Sequence, residues 1–382
     1  MTKVASMAVA AAIAGVAVSA HAQSSVTLYG VIDEGLNFTS NAKDHGTVQM
    51  KSGDTYGSRW GLKGSEDLGG GYRAIFQLEN GFDASNGTLK QGGREFGRQA
   101  YVGVQSDTYG SLTLGRQYDP TLDLWSGLTS AGSMTGDVSS HPFDNDNADF
   151  DYRINNSVKY TSPSYRGFKG EAMYGFSNDT GFANNRMYSA AGQYQNGGLT
   201  AAVGYLKLNN AGTATGAVAT DTVFAGSSQQ NIVAGLAYKF ENTKIGFSYS
   251  HVDVYNPTSN GYFAAAATQP AGGKWTSWKF DNFEINSKYL FTPSFWLGGA
   301  YTFTEAHVHS TVGDFLPRWH QLSLMLDYDL SKRTSVYAQG VYQHVVSANT
   351  GTGFDFAQTP ASAGVSSGEN QMVYRVAMIH RF

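Results

Sequence analysis

The sequence predicts an all-β protein, a sixteen-stranded antiparallel barrel that crosses a membrane. Alternating segments of roughly ten residues recur along the chain, each bounded by turn residues. Tight and long connections alternate between them. The chain also ends in a strand with two unlike faces: Met372, Tyr374, Val376, Met378 and Phe382 share one, and Arg375 and Arg381 the other. A large apolar ring beside a free carboxylate makes sense if the ring packs on lipid while the opposite face meets water.

The amino terminus agrees. Residues 1–22 have a cationic start at Lys3, an apolar stretch over 4–18 and Ala20-His21-Ala22 as a small-residue cleavage site. This is the pattern of a secretory leader, too short and alanine-rich for a stable span. Residues 23–382 then form one domain. No later stretch approaches the 18 to 20 continuous apolar residues of a membrane helix. There is no cysteine, which excludes disulfides and thiolate metal sites. The net charge of −4 offers nucleic acid no footing.

In order, the predicted strands cover 26–38, 58–66, 72–81, 95–105, 111–118, 154–161, 168–177, 186–194, 199–208, 230–240, 244–254, 279–291, 295–306, 319–329, 334–346 and 371–382. Ile232, Ala234, Leu236, Tyr238 and Phe240 share a face, as do Ile245, Phe247 and Tyr249, and Leu297, Gly299, Tyr301 and Phe303. Aromatics at strand ends (Tyr29, Tyr72, Tyr101, Phe168, Tyr238, Phe291 and Tyr328) suit interfacial girdles. Short connections hold Gly70-Gly71, 106–110, 162–164, 196–198, 241–243, 292–294 and 330–332. Long ones fall at 39–57, 82–94, 119–153, 178–185, 209–229, 255–278, 307–318 and 347–370. The alternation implies up-and-down topology with two unlike rims, and an even count puts both termini on the short-turn rim. A closed barrel leaves no backbone group unpaired in lipid. Sixteen strands also leave the lumen open to water.

The 119–152 connection is the longest and the most biased. It carries Asp119, Asp123, Asp137, Asp144, Asp146, Asp149 and Asp151, with no Lys or Arg between Arg116 and Arg153. Its apolar members Leu122, Leu124, Trp125, Leu128, Met134 and Phe143 require something to pack on. Folded inward it would narrow the lumen and place carboxylates there. Arg59, Arg73, Arg94, Arg98, Arg116 and Arg153 all fall within or beside the first six strands. Arginines facing aspartates across water would set up a transverse field that sorts ions by charge. Arg98 shares parity with Val102 and Val104, which aims it at lipid. There it would cost about 2–4 kcal/mol, so the lumen is the better placement.

The motifs SVTLYG at 25–30, GLKGSEDLG at 61–69, FGRQAYVG at 96–103 and LGRQY at 114–118, with the Arg-Phe ending, resemble the general diffusion porins of β-proteobacteria over the whole mature chain. The resemblance implies a homotrimeric outer-membrane barrel, surrounded by lipid and lipopolysaccharide, that passes ions and small hydrophilic solutes without a cofactor. It implies a pore-constricting third loop at 119–152 facing a ladder of arginines. Arg59, Arg98 and Arg153 match that ladder best, with Arg73 and Arg116 also on the basic side, against Asp119, Asp123, Asp137, Asp144, Asp146 and Asp149. The terminal Phe382 is what such porins present to the barrel-assembly machinery, so its deletion is expected to impair assembly. Several relatives carry Pro-Glu-Phe-Gly-Arg in the third loop. This chain lacks it there, so strong anion preference does not carry over.

Other chemistry is weaker. The run FDNDNADFD at 143–151 invites a calcium reading. As a helix–loop–helix site it fails, with Ala148, Asp149 and Asn155 where a ligand, a glycine and a glutamate belong. A pore carboxylate cluster is the better reading, with a weak, improvised calcium site as the alternative, and no metal is assigned. His307 and His309 share a face without a third ligand nearby and read as solvated loop residues. No hydrolase or nucleotide motif appears, so no enzyme is expected. The alternative function is a substrate-selective channel with an internal sugar or carboxylate site.

Overall fold

The computed structural model describes residues 24–180, 182, 184–209, 216–218, 224–262 and 269–382. The leader predicted at 1–22 lies outside the described residues, as do parts of the connections at 178–185, 209–229 and 255–278. Sixteen wall strands follow one another: β1 (Ser25–Ala42), β2 (Arg59–Gly69), β3 (Tyr72–Gly81), β4 (Gln99–Ser106), β5 (Gly110–Gln117), β6 (Ile154–Thr161), β7 (Phe168–Gly175), β8 (Met187–Asn196), β9 (Leu199–Asn209), β10 (Ser228–Phe240), β11 (Thr243–Tyr255), β12 (Trp275–Thr292), β13 (Phe295–Ser310), β14 (Arg318–Asp329), β15 (Thr334–Val346) and β16 (Asn370–Arg381). Each pairs antiparallel with the next, and β16 returns to β1 in register from Val31↔Arg381 to Thr39↔Val373. The sheet is closed.

Phe382 completes the seam. Its backbone exchanges two hydrogen bonds with Gly30, at 3.0 and 3.1 Å. A Cβ at Gly30 would stand 2.3 Å from the Phe382 ring, so this strand crossing needs glycine. Above it, Arg375 on β16 is 1% exposed and donates to Asp33 Oδ1 on β1 at 2.8 Å. Its other donations go to Tyr337, Asn37 and Lys51 O. A buried guanidinium is tolerable only when its donors are used in this way.

The barrel is inside-out relative to a protein that folds in water. Val26, Leu28, Leu36, Leu322, Leu324, Tyr374 and Val376 stand exposed on its outer surface. Ser248, Ser250, Asn282, Glu284, Asn286, Thr304 and Gln321 are buried on the inner one. A continuous apolar band of this kind has no place in water and matches the hydrocarbon of a bilayer.

Several predicted boundaries change. The connection at 39–57 is not one loop. Lys43 and Asp44 turn the chain with positive φ of 53° and 70°, and His45–Ser52 returns beside β1 in line with β2. Only 53–58 leaves the wall. The connection at 307–318 is likewise shorter, because β13 continues to Ser310 and Asp314–Phe315 pairs back on it. His307 and His309 are therefore strand residues beside Glu305 and Asp314, not loop residues. Tyr29 and Tyr101 do not join an outer girdle: both point inward, where Tyr29 donates to Glu79 and Tyr101 to Gln77, each at 2.9 Å. Tyr72, Phe168, Tyr238, Phe291 and Tyr328 are exposed on the outer face.

Residues 119–152 rest on the inner face of the wall. Asp119 caps α1 (Pro120–Trp125), accepting from Thr121 N at 2.8 Å. Trp125 Nε1 then donates to Ala234 O (2.9 Å), Asn286 reaches Leu128 O (2.8 Å) and Gln321 reaches Ser140 O (3.0 Å). The apolar residues expected to pack do so: Leu122, Leu124, Trp125, Leu128, Met134 and Phe143 are all buried. Phe143 is the deepest anchor, with ring centroids 5.6 Å from Trp319, 5.7 Å from Phe354 and 6.5 Å from Phe280. The anchor has a backbone cost. Phe143, Asp144, Asn147 and Phe150 all have positive φ, which disfavours non-glycine residues by about 1–3 kcal/mol each. Aromatic burial, worth about 1.5–3 kcal/mol for a side chain of this size, offsets part of that strain.

Candidate functional site

The arginine side is built where strands β2 to β6 meet their long connections. Arg59 opens β2, Arg98 immediately precedes β4 and Arg153 immediately precedes β6. Arg98 thus escapes the outward parity of Val102 and Val104, because the strand begins one residue later, at Gln99. Glu79, near the end of β3, lies between two of these cations. Arg98 Nε donates to Glu79 Oε1 at 2.8 Å, and Arg59 Nε stands 3.7 Å from Oε2. Tyr118, just past β5, accepts at its hydroxyl from Arg98 (2.9 Å) and from Arg153 (2.7 Å). The Arg153 guanidinium also lies 4.9 Å from the Tyr118 ring centroid. Planar guanidiniums suit this combination of fork donation and stacking. A further cation, Lys90, is held by Ser52 O at 2.7 Å.

Across a cavity of about 360 Å³ stand Asp137, Asp149 and Asp151, with the segment 131–136 completing the wall. Close backbone approach fixes this side. Gly136 has φ +59°, and a Cβ there would meet Asp54 O at 2.0 Å. The next residue, Asp137, donates its N–H to the same oxygen at 2.7 Å. Thr55 N and Tyr56 N in turn donate to Asp33 Oδ2, each at 2.9 Å, so the acidic loop is tied to the β1–β16 seam.

The ten predicted site residues other than Phe382 and Asp144 divide clearly. Arg59, Arg98, Arg153, Asp137 and Asp149 line the cavity. Arg73 does not, because it pairs with Asp107 at the opposite rim. Arg116 does not either: it donates to Gly97 O (2.7 Å) and Asn155 (2.6 Å) outside the lining. Asp119 is spent on the helix cap, Asp123 pairs with Lys159, and Asp146 is taken by His141 at 2.7 Å. Asp144 is buried behind the lining at 1% exposure. Sequence reading missed Glu79, Tyr118 and Lys90. Glu79 was legible, since it shares strand parity with inward-facing Gln77.

The loop carboxyls are not equivalent. Burial first, and the charge on Asp149 second, push Asp151 up to about 7 and hold Asp137 and Asp144 well above the usual carboxylate range. Asp146 goes the other way. Burial works against its charge, but His141 more than offsets it and holds the carboxyl low. Burial likewise opposes the imidazolium of His141, yet Asp146 and Glu284 prevail and push it up to about 10. His141 is charged at neutral pH and locks the loop to β12.

A closed barrel with an apolar outside, a polar inside and opposing charges across an internal cavity defines an integral outer-membrane channel protein. The comparisons agree. The model of the Gram-negative porin family matches residues 8–347, and the chain belongs to that family. An outer membrane porin protein of Bordetella pertussis is 35% identical over 372 residues, covering 87% of this chain and 92% of that protein. Outer membrane porin protein 32 of Delftia acidovorans is 28% identical over 98% of this chain and 99% of its own. Among solved structures, the anion-selective porin from Comamonas acidovorans superposes with a TM-score of 0.72 at 22% identity, covering 94% of this chain and all of that one. At that identity it speaks for the fold.

Proposed function

We propose that the chain is a general porin whose filter is the gap between Arg59, Arg98 and Arg153 and the loop 119–152. The channel passes ions and small hydrophilic solutes down their gradients across the outer membrane. No chemical step or cofactor takes part. What distinguishes one solute from another is the width of the gap and the field across it. The observation that carries this reading is the Tyr118 hydroxyl, which holds Arg98 and Arg153 together at 2.9 and 2.7 Å on the wall opposite Asp137 and Asp149. Fixed charges on low-dielectric walls act on a passing ion more strongly than mobile surface charges do.

The acidic side is weaker than its count of carboxyls suggests. Asp119, Asp123 and Asp146 are engaged elsewhere, and Asp137 and Asp151 lose part of their charge to burial and to Asp149. On the arginine side, guanidiniums remain charged throughout the physiological range. The expected outcome is a modest preference for anions. We propose assembly as a homotrimer on the family likeness. Reversal potentials in a salt gradient across a planar bilayer test the filter, and cross-linking in detergent tests the trimer.

A further inference from the structure

We propose that Asp144, Asp149 and Asp151 bind a divalent cation, with calcium the best fit, in the acidic wall of the channel, where Asp149 and Asp151 line the cavity and Asp144 backs them. One carboxylate oxygen from each lies within 4.8 Å of those of the other two. Oxygens on opposite sides of a calcium ion, each about 2.3–2.6 Å from it, are separated by about that span. The donor set is all hard oxygen, which selects calcium or magnesium over softer metals.

The hydrogen bonding points the same way. Asp144 Oδ1 accepts from Asp149 N at 3.4 Å, while its Oδ2 is buried with no partner. Asp149 accepts from Ser140 Oγ at one oxygen, while its Oδ1 is likewise buried and unpartnered. Asp151 accepts from Tyr262 OH at 3.0 Å. Each carboxylate is therefore oriented through one oxygen, and two of them leave the other oxygen bare. Orientation by outer partners is what metal-binding carboxylates require. No lysine or arginine pairs with any of the three among the described residues. Asp144 is the one of the three that is fully buried, at 1% exposure, and its bare oxygen beside two further carboxylates is costly unless a cation meets it.

The positive φ angles of Phe143, Asp144, Asn147 and Phe150 curl the chain so that residues 144, 149 and 151 converge. This loop does not follow the helix–loop–helix spacing, which is why sequence spacing alone argued against it. A cation here would brace the loop and cancel two negative charges next to Asp137. That second consequence rests on the loop acting as the channel's filter; binding itself does not.

The test uses full-length mature protein in detergent, freed of lipopolysaccharide and treated with chelator, titrated with calcium chloride by calorimetry. The expected result is one calcium per chain, with a Kd on the order of 10⁻⁴–10⁻³ M. Asp144→Asn and Asp149→Asn, each made singly, are expected to weaken binding at least tenfold, and Asp83→Asn on another loop to leave it unchanged. Absence of saturable uptake by wild type, or undiminished uptake by both single variants, overturns the site. In bilayers, calcium should move the reversal potential of wild type towards anions and leave that of Asp149→Asn fixed. Saturable binding without that movement upholds the site and counts against the loop as filter.

Discussion

Arg98 and Glu79 form a close ion pair, Nε to Oε1 at 2.8 Å, on the inner wall of the barrel. Glu79 is 4% exposed and also faces Arg59, so one carboxylate tempers two of the three arginines at the cavity. Glu79→Gln should therefore shift selectivity towards anions, read as a reversal potential. It should also cost roughly 1.5–3 kcal/mol of stability, the usual worth of a charged hydrogen bond. A shift towards cations would mean that the arginines had collapsed out of the channel.

The aspartates of the loop should separate by position. Asp137→Asn with Asp149→Asn removes charge that lines the cavity and should increase anion preference. Asp119→Asn with Asp123→Asn should leave selectivity near wild type, because one caps α1 and the other pairs with Lys159. The second pair should instead show in the denaturation midpoint, through the loss of the Asp123–Lys159 pair. Equal selectivity shifts for both pairs would show that position in the loop does not matter.

Phe143 anchors the loop in an aromatic pocket formed with Trp319, Phe354 and Phe280. Phe143→Ala should cost about 3–5 kcal/mol of local stability. The strained backbone around it would then relax, and the loop should become cleavable by protease while the barrel resists. A loop as protected as in wild type would place the anchor elsewhere.

His141 makes the docking dependent on pH. Its value is raised in the folded chain to about 10 from an unfolded 6.5. The ion pairs with Asp146 and Glu284 therefore stabilise fully below about pH 6.5, and that contribution is lost as pH rises through about 10. Protease sensitivity of the loop should rise across that alkaline limb in wild type. His141→Gln should be sensitive already at neutral pH, with a flatter profile. Identical profiles would rule the pair out as the lock.

Most of the wall was legible because lipid and water act on alternate residues. On β16, Met372, Tyr374, Val376 and Met378 face out and Arg375 faces in, as their parity requires. The arm His45–Ser52 was missed although Val48 and Met50 alternate, because Lys43 and Asp44 look like the body of a loop and not a two-residue turn. Inside the barrel the signal fades. Asp123 is withdrawn from the cavity by Lys159, and Asp146 by His141 and Ser250. Lys159 lies 36 residues from Asp123 and Ser250 lies 104 from Asp146, so for those two aspartates only His141, five residues before Asp146, offered a local signal. Glu79 is the exception, since strand parity alone aimed it at the arginines.

The most direct test of the account is the reversal potential of Arg98→Gln with Arg153→Gln against wild type, in planar bilayers under a salt gradient. Both guanidiniums converge on Tyr118, at 2.9 and 2.7 Å, on the cavity wall opposite Asp137 and Asp149. Removing both charges should move the potential clearly towards cations while single-channel conductance stays within about twofold, because a sixteen-stranded lumen remains open. A reversal potential unchanged from wild type would contradict the placement of the filter at these arginines.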